Sequence, residues 1–268
     1  MIVQIGTPQM ELYRIEGEFS NTPHLHEDEY QITVPLQGAF QFTQESRQYS
    51  LQGGTALVQH PRDRHYFAID GGSAVLIIRI RQQRMREFTG QDSLEFSLRQ
   101  QLNPALMSDK FRRWMIALLE SDSARRLAEE ELEAEVLSFL TRTLSGSHQR
   151  AAWPERCSPA FSSRDPMMRQ VLAYIHERYT EELTVEELAG IALQSRFHFI
   201  RSFKAEVGET PYQYVLRLRV EEAKRLLRHT KQTVTEIAFR LGFSSASQFY
   251  RVFVKAAGVS PERFRRLT

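Results

Sequence analysis

Ile237-Ala238-Phe239-Arg240-Leu241-Gly242-Phe243-Ser244-Ser245-Ala246-Ser247-Gln248-Phe249-Tyr250-Arg251-Val252-Phe253 decides the fold of this chain, because its pattern occurs twice. The upstream copy runs Leu188, Ala189, Ser195, Phe199, Arg201, Phe203, Gly208, Pro211. The downstream copy runs Ile237, Ala238, Ser244, Phe249, Arg251, Phe253, Gly258, Pro261. The offset is 49 residues through Ser195/Ser244 and 50 from Phe199/Phe249 onward, so the second copy carries one extra residue where its second helix starts. The spacing predicts two helix-turn-helix units, over 184–208 and 233–258.

Each first helix begins at a threonine with a glutamate three residues on, Thr184/Glu187 and Thr233/Glu236, which is the signature of a reciprocal cap. Ser195, and Ser244 or Ser245, are placed to cap the second helices. Phe199 and Phe203, like Phe249 and Phe253, fall four apart and share a core-facing stripe. The first copy is then expected to turn Arg196, Phe197, Ile200, Arg201 and Lys204 outward. The second copy is expected to present Ser245, Ala246, Ser247, Gln248, Tyr250 and Arg251. A helix in the DNA major groove offers its N-terminal exposed residues to base edges, and Arg201 and Arg251 suit guanine or phosphate. A packed helix with solvated arginines explains one such copy; two matching copies favour a DNA reader. The amphipathic stretch Tyr212–His229 between them spans about 27 Å as a helix, comparable with the roughly 34 Å between successive major grooves.

Residues 183–266 resemble the DNA-binding domain of the AraC/XylS family of bacterial transcription regulators. The resemblance is carried by Ile237-Ala238, Leu241-Gly242-Phe243-Ser244, Gln248-Phe249, Arg251, Phe253, Gly258-Val259-Ser260-Pro261 and Phe264-Arg265. It implies two helix-turn-helix subdomains bridged by a helix, with the second helix of each entering the major groove. Leu193 departs from the family pattern, standing where glycine is usual and where Gly242 stands in the second copy; a turn needing positive φ resists leucine.

Charge is distributed to match. Residues 164–268 hold 18 Lys/Arg against 12 Asp/Glu, whereas residues 1–163 hold 17 against 21. A net +6 beside a net −4 points to a polyanionic partner for the C-terminal part alone. No apolar run reaches the roughly 20 residues of a membrane span, and the N-terminus lacks the form of a signal peptide. The single cysteine, Cys157, forms no internal disulfide and suits a reducing cytoplasm; an incidental linker thiol is its simplest reading.

Residues 20–82 alternate on a period of two, with turn signals at Gly38, Gly53-Gly54 and Gly71-Gly72, which predicts a small antiparallel barrel or sandwich. From Ser93 the period becomes helical: Phe111, Met115, Leu118 and Leu119 form one stripe, and Leu127, Leu132, Val136, Leu137, Leu140 and Leu144 another. Glu129-Glu130-Glu131 reads as a solvated helix face. Residues 145–166, rich in serine and proline, read as a linker.

His24 and His26 with Gln31, then His65 after Gly54 and Pro61, resemble the two cupin motifs, in which two histidines, a glutamate and a later histidine bind a metal inside a small barrel. Gln31 stands at the glutamate position, and His60 where proline is usual. Three neutral imidazoles could hold zinc or iron; sensor domains of AraC-type regulators generally use that interior for an organic effector; and the histidines could be structural. His24, His26, Gln31 and His65 are taken as effector-lining, with no metal, cofactor or catalytic residue assigned.

The expected architecture is therefore α+β in two domains. A cupin-like effector-sensing barrel spans 1–92, a helical dimerisation or covering segment 93–144, a linker 145–166, and an AraC-type DNA-binding domain 167–268. The expected activity is effector-controlled transcription regulation in the cytoplasm, as an activator. Expected partners are double-stranded promoter DNA, a small-molecule effector, a second copy of the chain and RNA polymerase, without a membrane. The alternative is a metal-dependent cupin enzyme fused to a DNA-binding module.

Overall fold

A computed structural model describes residues 1–92, 94–119, 124–147 and 166–267. Cys157 and most of the expected linker lie outside the described residues. The chain divides into two compact units, Met1–Leu118 with Glu133–Glu155, and Leu119–Leu132 with Arg156–Thr268.

The first unit is built from strands β1 (Ile2–Thr7), β2 (Met10–Glu16), β3 (Phe19–Ser20), β4 (Glu29–Gln37), β5 (Phe40–Gln44), β6 (Arg47–Leu51), β7 (Thr55–Gln59), β8 (His65–Ile69) and β9 (Ala74–Arg81). Helix α1 (Gln82–Thr89), strand β10 (Arg99–Gln101) and helix α2 (Pro104–Leu119) follow, and helix α3 (Arg125–Thr143) is shared, its residues up to Leu132 belonging to the second unit and those from Glu133 to the first. Six strands pair in the order β1-β2-β9-β4-β7-β10 and four in the order β3-β8-β5-β6. The strands thus begin at Ile2, well before the alternation at residue 20, and β10 interrupts the region expected to be helical from Ser93.

Cross-strand partners share a face, so the register identifies what lines the interior. Tyr13 and Thr33 pair with Ile77, and Ile15 pairs with Val75. Of these inward positions Tyr13, Ile15, Val75 and Ile77 meet Phe40, Phe42 and Phe67 of the four-stranded sheet in one core cluster with Leu57 and Ile69. Helix α2 buries Met107, Phe111 and Trp114. Its apolar stripe therefore runs through Met107 and Trp114 rather than through Met115, Leu118 and Leu119. Leu127, Leu132, Val136, Leu137, Leu140 and Leu144 are all buried as expected.

The acidic block on α3 is not a solvated face. Glu130 accepts from the Val185 N–H at 2.6 Å and Glu131 from the Tyr212 N–H at 2.7 Å. Both carboxylates cap helix N-termini, where free N–H groups and the helix dipole attract negative charge. Glu133, two residues on, forms a buried ion pair with Arg84 at 2.6 Å within the first unit.

The second unit contains α4 (Pro166–Arg178), α5 (Val185–Ile191), α6 (Arg196–Val207), α7 (Pro211–His229), α8 (Val234–Arg240), α9 (Ala246–Ala257) and α10 (Pro261–Leu267). No described helix is long and apolar enough to cross a membrane.

Candidate nucleic-acid interface and ligand site

The start signals in the sequence act as written. Thr184 with Glu187 and Thr233 with Glu236 close reciprocal capping boxes at α5 and α8, and Thr210 with Gln213 does the same at α7. Ser195 caps α6, and Ser245 rather than Ser244 caps α9. Phe199, Phe203, Phe249 and Phe253 are fully buried. The helix period then forces Arg201 and Arg251, two residues beyond each first phenylalanine, to the exposed side. Lys204, Ser247 and Tyr250 are exposed with them, and Ala246 is half-buried.

Three residues expected on the outer face are inside instead. Phe197 and Ile200 are 7% and 8% exposed, and Gln248 is 4% exposed. The two apolar side chains gain more from burial than they could from a polar groove. Gln248 accepts from Ser244 at 2.6 Å, as Gln194 accepts from Ser202 at 2.7 Å in the first helix-turn-helix copy. Arg196 is half-buried, with Glu186 3.8 Å away. Ser245 is engaged as a cap, accepting from the Gln248 N–H.

The sequence reading missed Arg219, a wholly buried arginine on α7. Its guanidinium donates to the carbonyls of Tyr179 at 2.6 Å, Glu181 at 3.0 Å and Gly242 at 3.1 Å. One side chain thus ties the loop after α4 to the turn of the second helix-turn-helix. Its only sequence signal was a basic residue on the apolar side of α7, beside Val215 and Val220.

In the first unit the interior has one polar end. Gln31 pairs in register with Arg79 and Gln59, and Arg79 with Glu11, so all four point the same way. Gln31 Nε2 donates to Thr33 Oγ1 at 3.1 Å and Gln59 Oε1 at 3.2 Å. Arg79 bonds Glu11 and the Tyr13 hydroxyl. Alternation alone could have located Arg79, since Val75, Ile77 and Arg79 share a face.

The histidines gather at this end. His24 lies on a loop that bridges to His65 at the start of β8, with backbone bonds of 3.0 and 2.8 Å. Their ring centroids are 4.5 Å apart, and His26 lies 5.2 and 5.4 Å from the two. Each of the three brings a ring nitrogen within 4.8 Å of the others. Gln31 Oε1 is 3.2 Å from His26 Nε2. His60 stands apart, accepting from the Phe96 N–H at 2.9 Å. Burial pushes the His65 imidazole down to about 4 and lowers His26, the latter helped by His24, so both rings stay neutral. Three polar atoms facing this interior are buried without partners: His65 Nε2, Gln59 Nε2 and Arg79 Nε. Such atoms invite a ligand, since an unmade buried hydrogen bond costs about 1–3 kcal/mol.

Two family models match the chain: an AraC-binding-like domain over residues 9–145 and a helix-turn-helix domain over residues 188–267. Among similar proteins, the HTH-type transcriptional regulator YobQ of Bacillus subtilis is 28% identical, covering 90% of this chain and 88% of its own. The HTH-type transcriptional activator RhaS of an Enterobacter species is 26% identical, covering 91% and 87%. The HTH-type transcriptional regulator Rv1931c of Mycobacterium tuberculosis is 45% identical, covering 31% and 32%. Among solved structures, the DNA-binding domain of AdpA in complex with a target DNA is 36% identical, covering 38% of this chain and 92% of that one, with a TM-score of 0.36.

Proposed function

The chain belongs to the AraC family of transcriptional regulators, and from this premise we propose how it reads DNA and holds its effector. Arg201 and Lys204 on α6, and Ala246, Ser247, Tyr250 and Arg251 on α9, contact the duplex. Arg196 and the capping Ser245 act at the helix starts, and Phe197, Ile200 and Gln248 support the reading helices from inside. The observation that carries this assignment is the equivalence of Arg201 and Arg251, each exposed two residues after a buried phenylalanine. Phosphate neutralisation supplies most of the affinity, and few side chains supply the specificity.

The effector sits at the polar end of the barrel interior, against His24, His26, Gln31 and His65, with Arg79 and Gln59 offering further donors. The unpartnered His65 Nε2 supports this placement. Effector binding shifts the population of DNA-competent arrangements to the extent that it favours one of them. The chain acts in the cytoplasm as a non-enzymatic activator that contacts RNA polymerase. It works as a homodimer, a reading supported by Ile116 and Leu119, 43% and 62% exposed on α2.

The test is selection of bound duplexes from a random library by the full chain, followed by a salt series on the enriched sequence. Two short half-sites about one helical turn apart should emerge, with affinity falling steeply as salt rises. Absence of enrichment, together with no retention of any duplex in dilute buffer, would overturn the proposal.

A further inference from the structure

We propose that Glu130 and Glu131 of α3 form an autoinhibitory clamp on the first helix-turn-helix copy, holding its helices in competition with DNA. This rests on the reading of α6 as a helix that contacts the duplex.

The two carboxylates reach the helices on either side of α6 in the chain. Glu130 accepts from the N–H of Val185, the first residue of α5, at 2.6 Å. Glu131 accepts from the N–H of Tyr212, the second residue of α7, at 2.7 Å. Either protonation state of Glu131 keeps an oxygen for that donor. Both helix starts already carry complete capping boxes, Thr184 with Glu187 and Thr210 with Gln213. The boxes serve the N-cap and third N–H groups, so α3 takes donors that they leave.

The second copy builds the same motif from its own residues. Its equivalents of Val185 and Tyr212 are Val234 and Glu262, at the offsets of 49 and 50 residues that relate the two copies. Helix α8 starts on the Thr233/Glu236 box, and α9 buries Phe249 and Phe253 as α6 buries Phe199 and Phe203. A carboxylate of α3 at each start of the first copy is therefore an addition to the motif, not a condition of it.

Its position sets the clamp against DNA. In a helix-turn-helix the first helix crosses the phosphate backbone and the second enters the groove; these are α5 and α6. Phosphate oxygens are bound by backbone N–H groups, helix starts and lysines, the same kinds of partner that the two carboxylates hold. The exposed Lys204 on α6, one of the proposed duplex contacts, lies near enough for its charge to act on Glu131. A phosphate drawn to Lys204 thus approaches carboxylates of its own sign, and like charges repel.

Helix α3 continues into the first unit. Two residues beyond Glu131, Glu133 pairs with Arg84 of α1, and Glu135 bonds Lys110 and Trp114 of α2 at 2.9 and 3.3 Å. The helix that bears the clamp is anchored in the unit read as the effector site, which gives a change there a physical route to α5 and α7.

The experiment measures, by gel shift at fixed salt and without effector, the affinity of the full chain for the duplex that the parent enriches from a random library. With the clamp closed in most molecules, the apparent Kd exceeds the intrinsic one by the reciprocal of the open fraction. Glu130→Ala combined with Glu131→Ala should therefore tighten binding about tenfold. Glu129→Ala removes a like charge from the same turn of α3, where Glu129 pairs with Arg125, and should leave the affinity unchanged. Loss of a merely structural contact would weaken binding, not tighten it. Unchanged or weaker binding by the folded double variant overturns the clamp, as does equal tightening by Glu129→Ala. Should the double alanine variant fail to fold, Glu130→Gln with Glu131→Gln keeps an acceptor at each N–H and decides on the charge: tightening supports the clamp, and its absence overturns it. A parent that binds while no variant tightens rejects the clamp and keeps the DNA reading; failure of every form to bind any duplex rejects both.

Discussion

Leu193 and Gly242 stand 49 residues apart at the same point of two equivalent turns, and both backbones are left-handed, at φ 53° and 79°. The turn geometry is thus common to both units although only one has the residue that adopts it freely. The surroundings differ. A Cβ on Gly242 would lie 2.1 Å from the Thr180 carbonyl oxygen, while Leu193 projects into solvent at 83% exposure.

This difference sets opposite expectations for two substitutions. Leu193→Gly relieves about 1–2 kcal/mol of left-handed strain but returns roughly 0.5–1 kcal/mol of chain entropy to the unfolded state. A net gain between zero and about 1.5 kcal/mol is expected. Gly242→Ala adds strain and a backbone collision, and should lose about 2–4 kcal/mol. Urea unfolding midpoints of the two variants would rank them; a milder loss at Gly242 than at a neutral surface site would contradict the contact with Thr180.

Arg251→Ala should weaken binding to the selected duplex by about 1–3 kcal/mol if the guanidinium reads a base. If it touches only phosphate, binding to all sequences should weaken alike, and the salt slope should fall by about 1. Gel shifts on selected and scrambled duplexes distinguish the two. Phe197→Ala and Ile200→Ala should act differently, lowering thermal stability through lost burial. Equal DNA affinity at a temperature where both variants are folded would support that assignment.

Arg219→Met keeps much of the side-chain volume but abandons three backbone carbonyls. The expected loss is about 3 kcal/mol or more, since hydrogen bonds from a charged donor contribute about 1.5–3 kcal/mol each. Lysine should recover only part of it, because one ammonium cannot reproduce the planar fork. A Met variant as stable as the parent in denaturant would show that the carbonyls find other donors.

Glu131 predicts a pH dependence. Burial pushes its carboxyl up to about 7 from an ordinary 4.5, against the opposing pull of Thr210, the Tyr212 N–H and Lys204. Between those values the folded chain holds a proton that the unfolded chain has released. The favourable contribution is therefore complete below about 4.5 and lost as pH rises through about 7. Glu131→Gln keeps an acceptor for the Tyr212 N–H and removes the charge. It should be more stable than the parent at pH 8, by on the order of 1–3 kcal/mol, with the gap closing toward pH 5. Parallel melting curves across that range that never converge would rule out this origin.

Much of the DNA-reading part was legible in the residues alone, because its signals are local. A threonine with a glutamate three residues on, a serine at a helix start and phenylalanines four apart are satisfied within one or two turns of chain. Duplication then made each copy a check on the other. The exposure of Arg201 and Arg251 followed directly from the helical period. The histidine pattern likewise picked out three side chains, His24, His26 and His65, that the fold gathers at one place.

What needed tertiary structure were the interactions that close across long stretches of sequence. Phe197 and Ile200 lie on a helix whose buried arc is wider than the phenylalanine stripe suggests, and no period states how wide an arc its neighbours will cover. Glu130 and Glu131 look like solvent-facing charge until the N–H groups of Val185 and Tyr212 arrive to donate to them. Arg219 is a surface residue by composition and an interior one by partner, since its three carbonyls come from two separate turns. Local sequence determines which groups a residue carries and which way a short element turns them; only the packed chain determines what they meet, because desolvation and hydrogen bonding depend on neighbours remote in sequence.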